Sequence, residues 1–166
     1  MLGLERSFSI NQNDVKSSYR ALMSKLHPDK QHSQQQSSSV VSNIEDKFLS
    51  ATDVTRAYDV IKRPHSRALH LLELANNMST DDNSSGLSNE LLMKIMDVRE
   101  AVDDANSDEE VKLLLVENNA RMKEAYQCLS DAFAKREYDV AKRITEELRY
   151  WEACDETLRE KMDSVD

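Results

Sequence analysis

The sequence predicts an all-α protein in two parts. An N-terminal helical domain spans residues 1–75, and an acidic antiparallel three-helix bundle spans 88–166, with a linker at 76–87. Three observations predict it. First, 166 residues contain only two glycines and two prolines, with 5% aromatic and 32% charged residues, a composition that favours helices over strands. Second, apolar residues recur three and four apart through most of the chain, the period of a helix with one buried face. Third, Asn76-Asn77-Met78-Ser79-Thr80-Asp81-Asp82-Asn83-Ser84-Ser85-Gly86 interrupts that period with small polar residues, as a linker does. A chain of this length can build its core without disulfide or metal staples.

Taken in order, residues 2–8 are expected to form a short helix or turn, with Phe8 and Ile10 docking on the helix that follows. Asn11 or Asn13 caps that helix, and Asp14 in its first turn favours the helix dipole. Val15, Tyr19, Leu22 and Leu26 form its core stripe. Pro28 ends it near Leu26 or His27, because proline lacks an N–H and pushes the preceding residue out of the α region. Gln31 to Ser42 is Gln/Ser-rich, buries little apolar area and is expected to be a loop. The next helix is expected from about Ile44 to Ile61, with Ile44, Phe48, Ala51, Val54, Tyr58 and Ile61 inward. Arg63-Pro64 breaks it, and Pro64 suits the first turn of a further helix to about residue 75.

His27-Pro28-Asp29 is a stiff, charged corner at a helix end, suited to recognition by another protein. Lys16, Arg20 and His27 share one flank of the preceding helix. Taken alone, the tripeptide is an ordinary helix-ending turn, and two cations on a helix are ordinary solvated charges. The flanks add to it. With Tyr19-Arg20 before it and Ala57-Tyr58-Asp59-Val60-Ile61-Lys62-Arg63-Pro64 after it, the stretch resembles a J-domain, the co-chaperone module that stimulates DnaK-type ATPases. Arg67-Ala68-Leu69-His70-Leu71-Leu72-Glu73-Leu74, followed by an acidic helical tail, resembles more narrowly the HscB family, the J-type co-chaperones of iron–sulfur cluster assembly. The resemblance runs from about Leu2 to about Met162, and its specificity lies in these short segments. It implies a J-domain helical hairpin at 1–75 and chaperone contact through His27, Pro28, Asp29, Lys16 and Arg20.

Beyond the linker, helical patterns run over about 88–104, 108–134 and 137–162. Ser107 before Asp108-Glu109-Glu110 is a plausible N-cap with an acidic first turn, and Lys135-Arg136-Glu137 marks the next corner. In the first pattern Leu91, Ile95, Val98 and Val102 make a sufficient core stripe. Leu92, Met93 and Met96 form a second apolar side with Asp97 and Glu100 beside them. From the residues, that side either packs on another part of the chain or is an exposed partner patch, for which methionines are suited. In the last pattern Ala141, Ile144, Leu148, Trp151, Leu158 and Met162 face the core, which leaves Tyr150 at the bundle edge. The resemblance implies that Leu92, Met93, Met96, Asp97, Glu100 and Tyr150 bind the iron–sulfur scaffold protein. For Leu92, Met96 and Tyr150 to share one exposed face, the expectation is that the first and third bundle helices run antiparallel.

Function classes narrow accordingly. Residues 1–75 carry ten Lys/Arg and eight Asp/Glu, whereas 76–166 carry twelve and twenty-three, within an overall charge of −9. The acidic tail disfavours nucleic acid and suits a basic partner surface, although most such charges are simply solvated. No apolar run approaches a membrane span. There is no glycine-rich phosphate cradle, and His27 with Asp29 lacks a nearby nucleophile, so no catalytic residues and no cofactor are expected. Cys128 and Cys154 form no metal-ligand spacing and are expected as buried or half-buried thiols in a reducing compartment. His65 and His70 are expected at the surface. The first residues already resemble the start of a J-domain, with no arginine-rich leader before them. The resemblance implies the mitochondrial matrix for a eukaryotic member and the cytoplasm otherwise. The function it implies is a non-enzymatic co-chaperone that brings the scaffold to a DnaK-type chaperone. The rival readings are a J-protein for another client, a helical adaptor without chaperone activity, and a hydrolase using His27 and Asp29.

Overall fold

A computed structural model describes residues 6–26, 50–76 and 88–164, and every element among them is an α-helix. The helices are α1 (Gln12–Leu26), α2 (Ala51–Lys62), α3 (Pro64–Asn76), α4 (Asn89–Asp104), α5 (Asp108–Lys135) and α6 (Tyr138–Ser164). The all-α expectation is therefore met. The chain divides into two compact units, Met1–Arg67 and Ala68–Asp166, with the division falling inside α3.

In the N-terminal unit α1 and α2 pair. Asn11 is the cap of α1: its side-chain oxygen accepts from the Asn13 N–H at 2.9 Å, and its carbonyl accepts the Asp14 and Val15 N–H groups. Val15 from α1 and Val54 from α2 are fully buried. The Tyr19 and Tyr58 rings stack across the pair with centroids 4.3 Å apart, and Lys62 sits over the Tyr58 face at 5.9 Å. Leu22 and Leu26 complete the α1 stripe as half-buried residues.

Two expectations are corrected here. The helix expected from Ile44 begins at Ala51, because Ser50 is extended and closes a capping box with Asp53. The Ser50 hydroxyl accepts the Asp53 N–H at 3.1 Å, and the Asp53 carboxylate accepts the Ser50 N–H and O–H at 3.3 and 2.7 Å. These bonds hold the Asp53 carboxyl below its ordinary range. Ala51, in the first turn, is consequently exposed rather than inward, while Ile44 and Phe48 lie outside the described residues. Of the short helix or turn expected at 2–8, the described residues 6–8 form bends and not a helix, and Phe8 is buried as expected.

Arg67 is a brace that sequence periodicity does not announce. Arg63 is extended, as a residue before proline must be, and Pro64 opens α3. One turn later the Arg67 guanidinium reaches back to the Ile61 carbonyl, 2.7 Å away at the C-terminal end of α2, where helix carbonyls lack intrahelical partners. The same group lies 4.8 Å over the Phe8 ring. A buried cation is thus tied to a helix end and an aromatic face.

The second unit contains the bundle. Ser88 caps α4 by accepting the Leu91 N–H at 3.2 Å. Ser107 and Glu110 form the capping box of α5, and the Glu110 carboxylate also accepts the Asn106 N–H at 3.0 Å. The backbone bond from Asn106, followed by those with Ser107, lowers the Glu110 carboxyl below its ordinary range. At the far end Arg136 adopts φ 61° and ψ 30°, the left-handed stop that lets Arg136 and Glu137 N–H groups satisfy the last carbonyls of α5. These short corners make α5 antiparallel to both neighbours.

The direction of α4 relative to α6 differs from the expectation. Lys94, near the start of α4, lies over Trp151, while the Lys161 ammonium, near the end of α6, donates to the Asp103 and Ala105 carbonyls at 2.8 and 3.2 Å. Both helices therefore run the same way, as first and third members of an up-down-up bundle must. The core stripe of α4 is Ile95, Val98 and Val102; that of α6 is Ala141, Leu148, Trp151 and Leu158, with Ile144 and Met162 only half-buried. Asn118 and Thr145 join the core although their residue types did not predict it, and Cys154 is buried as expected. Burial raises the Cys154 thiol above its ordinary range. Cys128, by contrast, is exposed, contrary to expectation. Leu148→Ala should destabilise the protein by about 2–5 kcal/mol, the range for emptying a buried leucine site, while Leu113→Ala on the outer face of α5 should change stability by under about 0.5 kcal/mol. Urea unfolding of both variants checks the contrast.

Candidate functional site

Two surfaces carry the residues singled out in the sequence. On the first, Lys16 and Arg20 are exposed one turn apart on α1, with Tyr19 turned to the opposite helix. The described part of α1 runs to Leu26. His27, Pro28 and Asp29 lie outside the described residues.

The second surface is on the bundle. Burial of Ile95, Val98 and Val102 turns the other side of α4 outward. Leu92 is 40% exposed, Met93 66% and Met96 68%. These three side chains are therefore not core residues of the bundle. Asp97 and Glu100 are exposed among them. An apolar strip bordered by carboxylates remains open to solvent, a surface suited to an adaptable contact with a basic rim on the partner.

Tyr150 projects from α6 at the edge of the bundle and is half-buried, as its position outside the core stripe requires. Its ring lies 5.7 Å from the Arg99 guanidinium of α4. Met96 and Arg99, three residues apart, are neighbours on one helical face, and Leu92 lies one further turn along it. The parallel packing of α4 and α6 thus brings Tyr150 to the flank that carries Met96 and Leu92. Met93, Asp97 and Glu100 occupy the side of α4 turned further from Tyr150.

Arg99 and Arg149 were not singled out in the sequence. Arg149 lies 5.1 Å from the Tyr150 centroid and donates to the phenol oxygen at 3.3 Å. The signal was available, since Arg99 follows Met96 by three residues and Arg149 adjoins Tyr150.

Comparisons with known proteins bear on both surfaces. Residues 1–70 match the DnaJ domain model, and residues 87–159 match the HSCB C-terminal oligomerisation domain model. The chain belongs to the HscB family of J-type iron–sulfur cluster co-chaperones. It is 31% identical over 158 residues to the mitochondrial J-type co-chaperone jac1 of Schizosaccharomyces pombe, covering 92% of this chain and 65% of that protein. It is 25% identical over 162 residues to the iron-sulfur cluster co-chaperone protein HscB homolog of Arabidopsis thaliana, covering 96% of this chain and 61% of that protein. This HscB-family chain thus spans slightly less than two thirds of the length of these two relatives. The crystal structure of human co-chaperone protein HscB is similar to it with a TM-score of 0.79 and 26% identity, over 96% of this chain and 79% of that one.

Among the described residues no group of three His, Cys, Asp or Glu side chains is placed to hold a metal ion, and no helix is long and apolar enough to cross a membrane. His65 and His70 are partly exposed, the His70 side chain at 44%, in keeping with the surface positions expected of them. Because Leu92 and Met96 support no core, the Leu92→Ala/Met96→Ala double variant should keep its unfolding free energy within about 0.5 kcal/mol of wild type, measured by chemical denaturation.

Proposed function

We propose that this protein stimulates ATP hydrolysis by a DnaK-type chaperone and delivers an iron–sulfur cluster scaffold protein to it. The observation that carries the reading is the exposed apolar strip of α4 beside Tyr150, in a chain that also has a J-domain. Leu92, Met93 and Met96 are the apolar anchors of the scaffold contact, Tyr150 adds an aromatic anchor with a polar tip, and Asp97 and Glu100 steer a basic partner. His27, Pro28 and Asp29, flanked by Lys16 and Arg20, engage the ATP-bound chaperone. In this reading the chain catalyses nothing itself; the hydrolysis belongs to the chaperone. The iron–sulfur cluster is cargo held by the scaffold. The mitochondrial designation of the yeast relative supports a mitochondrial matrix location.

Binding both partners at once couples them: the scaffold arrives at the chaperone as hydrolysis is triggered, and cluster transfer follows. In a single-turnover assay with purified DnaK-type chaperone, wild type should accelerate ATP hydrolysis and Asp29→Asn should not. Equal stimulation by both proteins would count against the J-protein role. The triple variant Leu92→Ala/Met96→Ala/Tyr150→Ala should lose at least about 2 kcal/mol of scaffold affinity, roughly thirtyfold, while stimulating the bare chaperone normally. Unchanged scaffold affinity, measured by calorimetry on the folded variant, would place the interface elsewhere.

A further inference from the structure

We propose that Arg149 is a positioning residue of the scaffold-binding face, holding the Tyr150 ring in its binding pose with Arg99; the inference rests on the reading of that face given above. Tyr150 stands half-buried at the bundle edge, with part of its ring open to solvent. Two guanidinium groups restrict it. Arg99 approaches from α4 at 5.7 Å and Arg149 from α6 at 5.1 Å, both within the roughly 6 Å over which a ring quadrupole attracts a cation. Arg149 adds a hydrogen bond, donating from Nη2 to the phenol oxygen at 3.3 Å. The ring is therefore held through its π system by two helices and at its tip by one of them.

Fold stability gives these contacts little reason to exist. Both arginines are exposed, and the bundle is held by Leu148, Trp151 and Leu158 behind them. What the contacts change is the freedom of the tyrosine. An anchor already in place loses less conformational entropy on association, so pre-ordering it strengthens binding without a new contact to the partner. The role calls for arginine rather than lysine. A planar fork can lie against a ring and donate to its hydroxyl together, whereas an ammonium acts as a point charge.

The test is a double-mutant cycle in the full chain, using the cognate iron–sulfur scaffold protein as the probe. Arg149→Ala should weaken scaffold affinity about fivefold, the scale of one exposed cation–π contact with one hydrogen bond. In a Tyr150→Ala background it should cause no further loss. Arg149→Lys should retain most of the defect. In the free Arg149→Ala protein the Tyr150 ring resonances should move towards those of a mobile tyrosine, with the unfolding midpoint unchanged. Equal losses in both backgrounds would mean that Arg149 touches the partner or acts through net charge, and would overturn the positioning role. So would full affinity in the Tyr150 background, or unchanged ring resonances. If Tyr150→Ala alone binds as wild type, the face itself is wrong, an outcome distinct from Arg149→Ala failing while Tyr150→Ala weakens binding.

Discussion

The bundle depends on how Trp151 is held. Its indole is almost wholly buried, with Nε1 donating to Glu147 at 3.0 Å one turn earlier on α6. Lys94 from α4 and Arg121 from α5 lie 5.9 and 5.7 Å from the ring, so both other helices of the bundle place a cation against it. Asn118 of α5, fully buried, donates its side-chain N–H to the Trp151 carbonyl at 2.9 Å. A buried amide with one satisfying partner makes register shifts expensive, because sliding α6 along α5 would strand it. Apolar packing supplies the stability, and this polar contact selects one alignment.

The alignment sets the surface. With α5 and α6 in register and the Lys161 ammonium bonded to the carbonyls at the end of α4, α4 cannot slide freely along α6. That fixes which residue of α4 meets Tyr150, and it is Arg99. The outward exposure of Leu92, Met93 and Met96 follows from the same constraint, since Ile95, Val98 and Val102 already occupy the inner side. The core and the exposed strip are thus two readings of one helix rotation.

Much of this was legible in the sequence because amphipathic period and capping chemistry are local. Ser107 and Glu110 announce the start of α5, and the Arg63-Pro64 pair announces the break before α3. Counting residues around α4 placed Met93 and Met96 off its core stripe but left open whether they pack elsewhere; their exposure is read from the structure. Other features depend on residues far apart in the chain. Asn118 and Thr145 occupy core positions that their polarity argues against; the first bonds the Trp151 carbonyl and the second its own helix, donating to the Ala141 carbonyl at 2.7 Å. Cys128 faces outward on α5 although its type favours burial. Arg67 acquires its role from Ile61 and Phe8, neither of which is a helical neighbour. The parallel course of α4 and α6 was implied by two short connections, and the antiparallel expectation neglected that two reversals restore the starting direction.

The parallel pairing of α4 and α6 has a thermodynamic corollary. The strip on α4 and the tyrosine on α6 are separated by more than fifty residues of chain and share a face only while α5 holds them together. An unfolded chain has no such face. A ligand that recognises the assembled face therefore binds the native state alone, and mass action draws the folding equilibrium towards it. At a free concentration about a hundred times its dissociation constant, such a ligand adds roughly 2.7 kcal/mol to the free energy of unfolding. Ligand and fold become mutually dependent, so that occupancy itself reports that the bundle is intact.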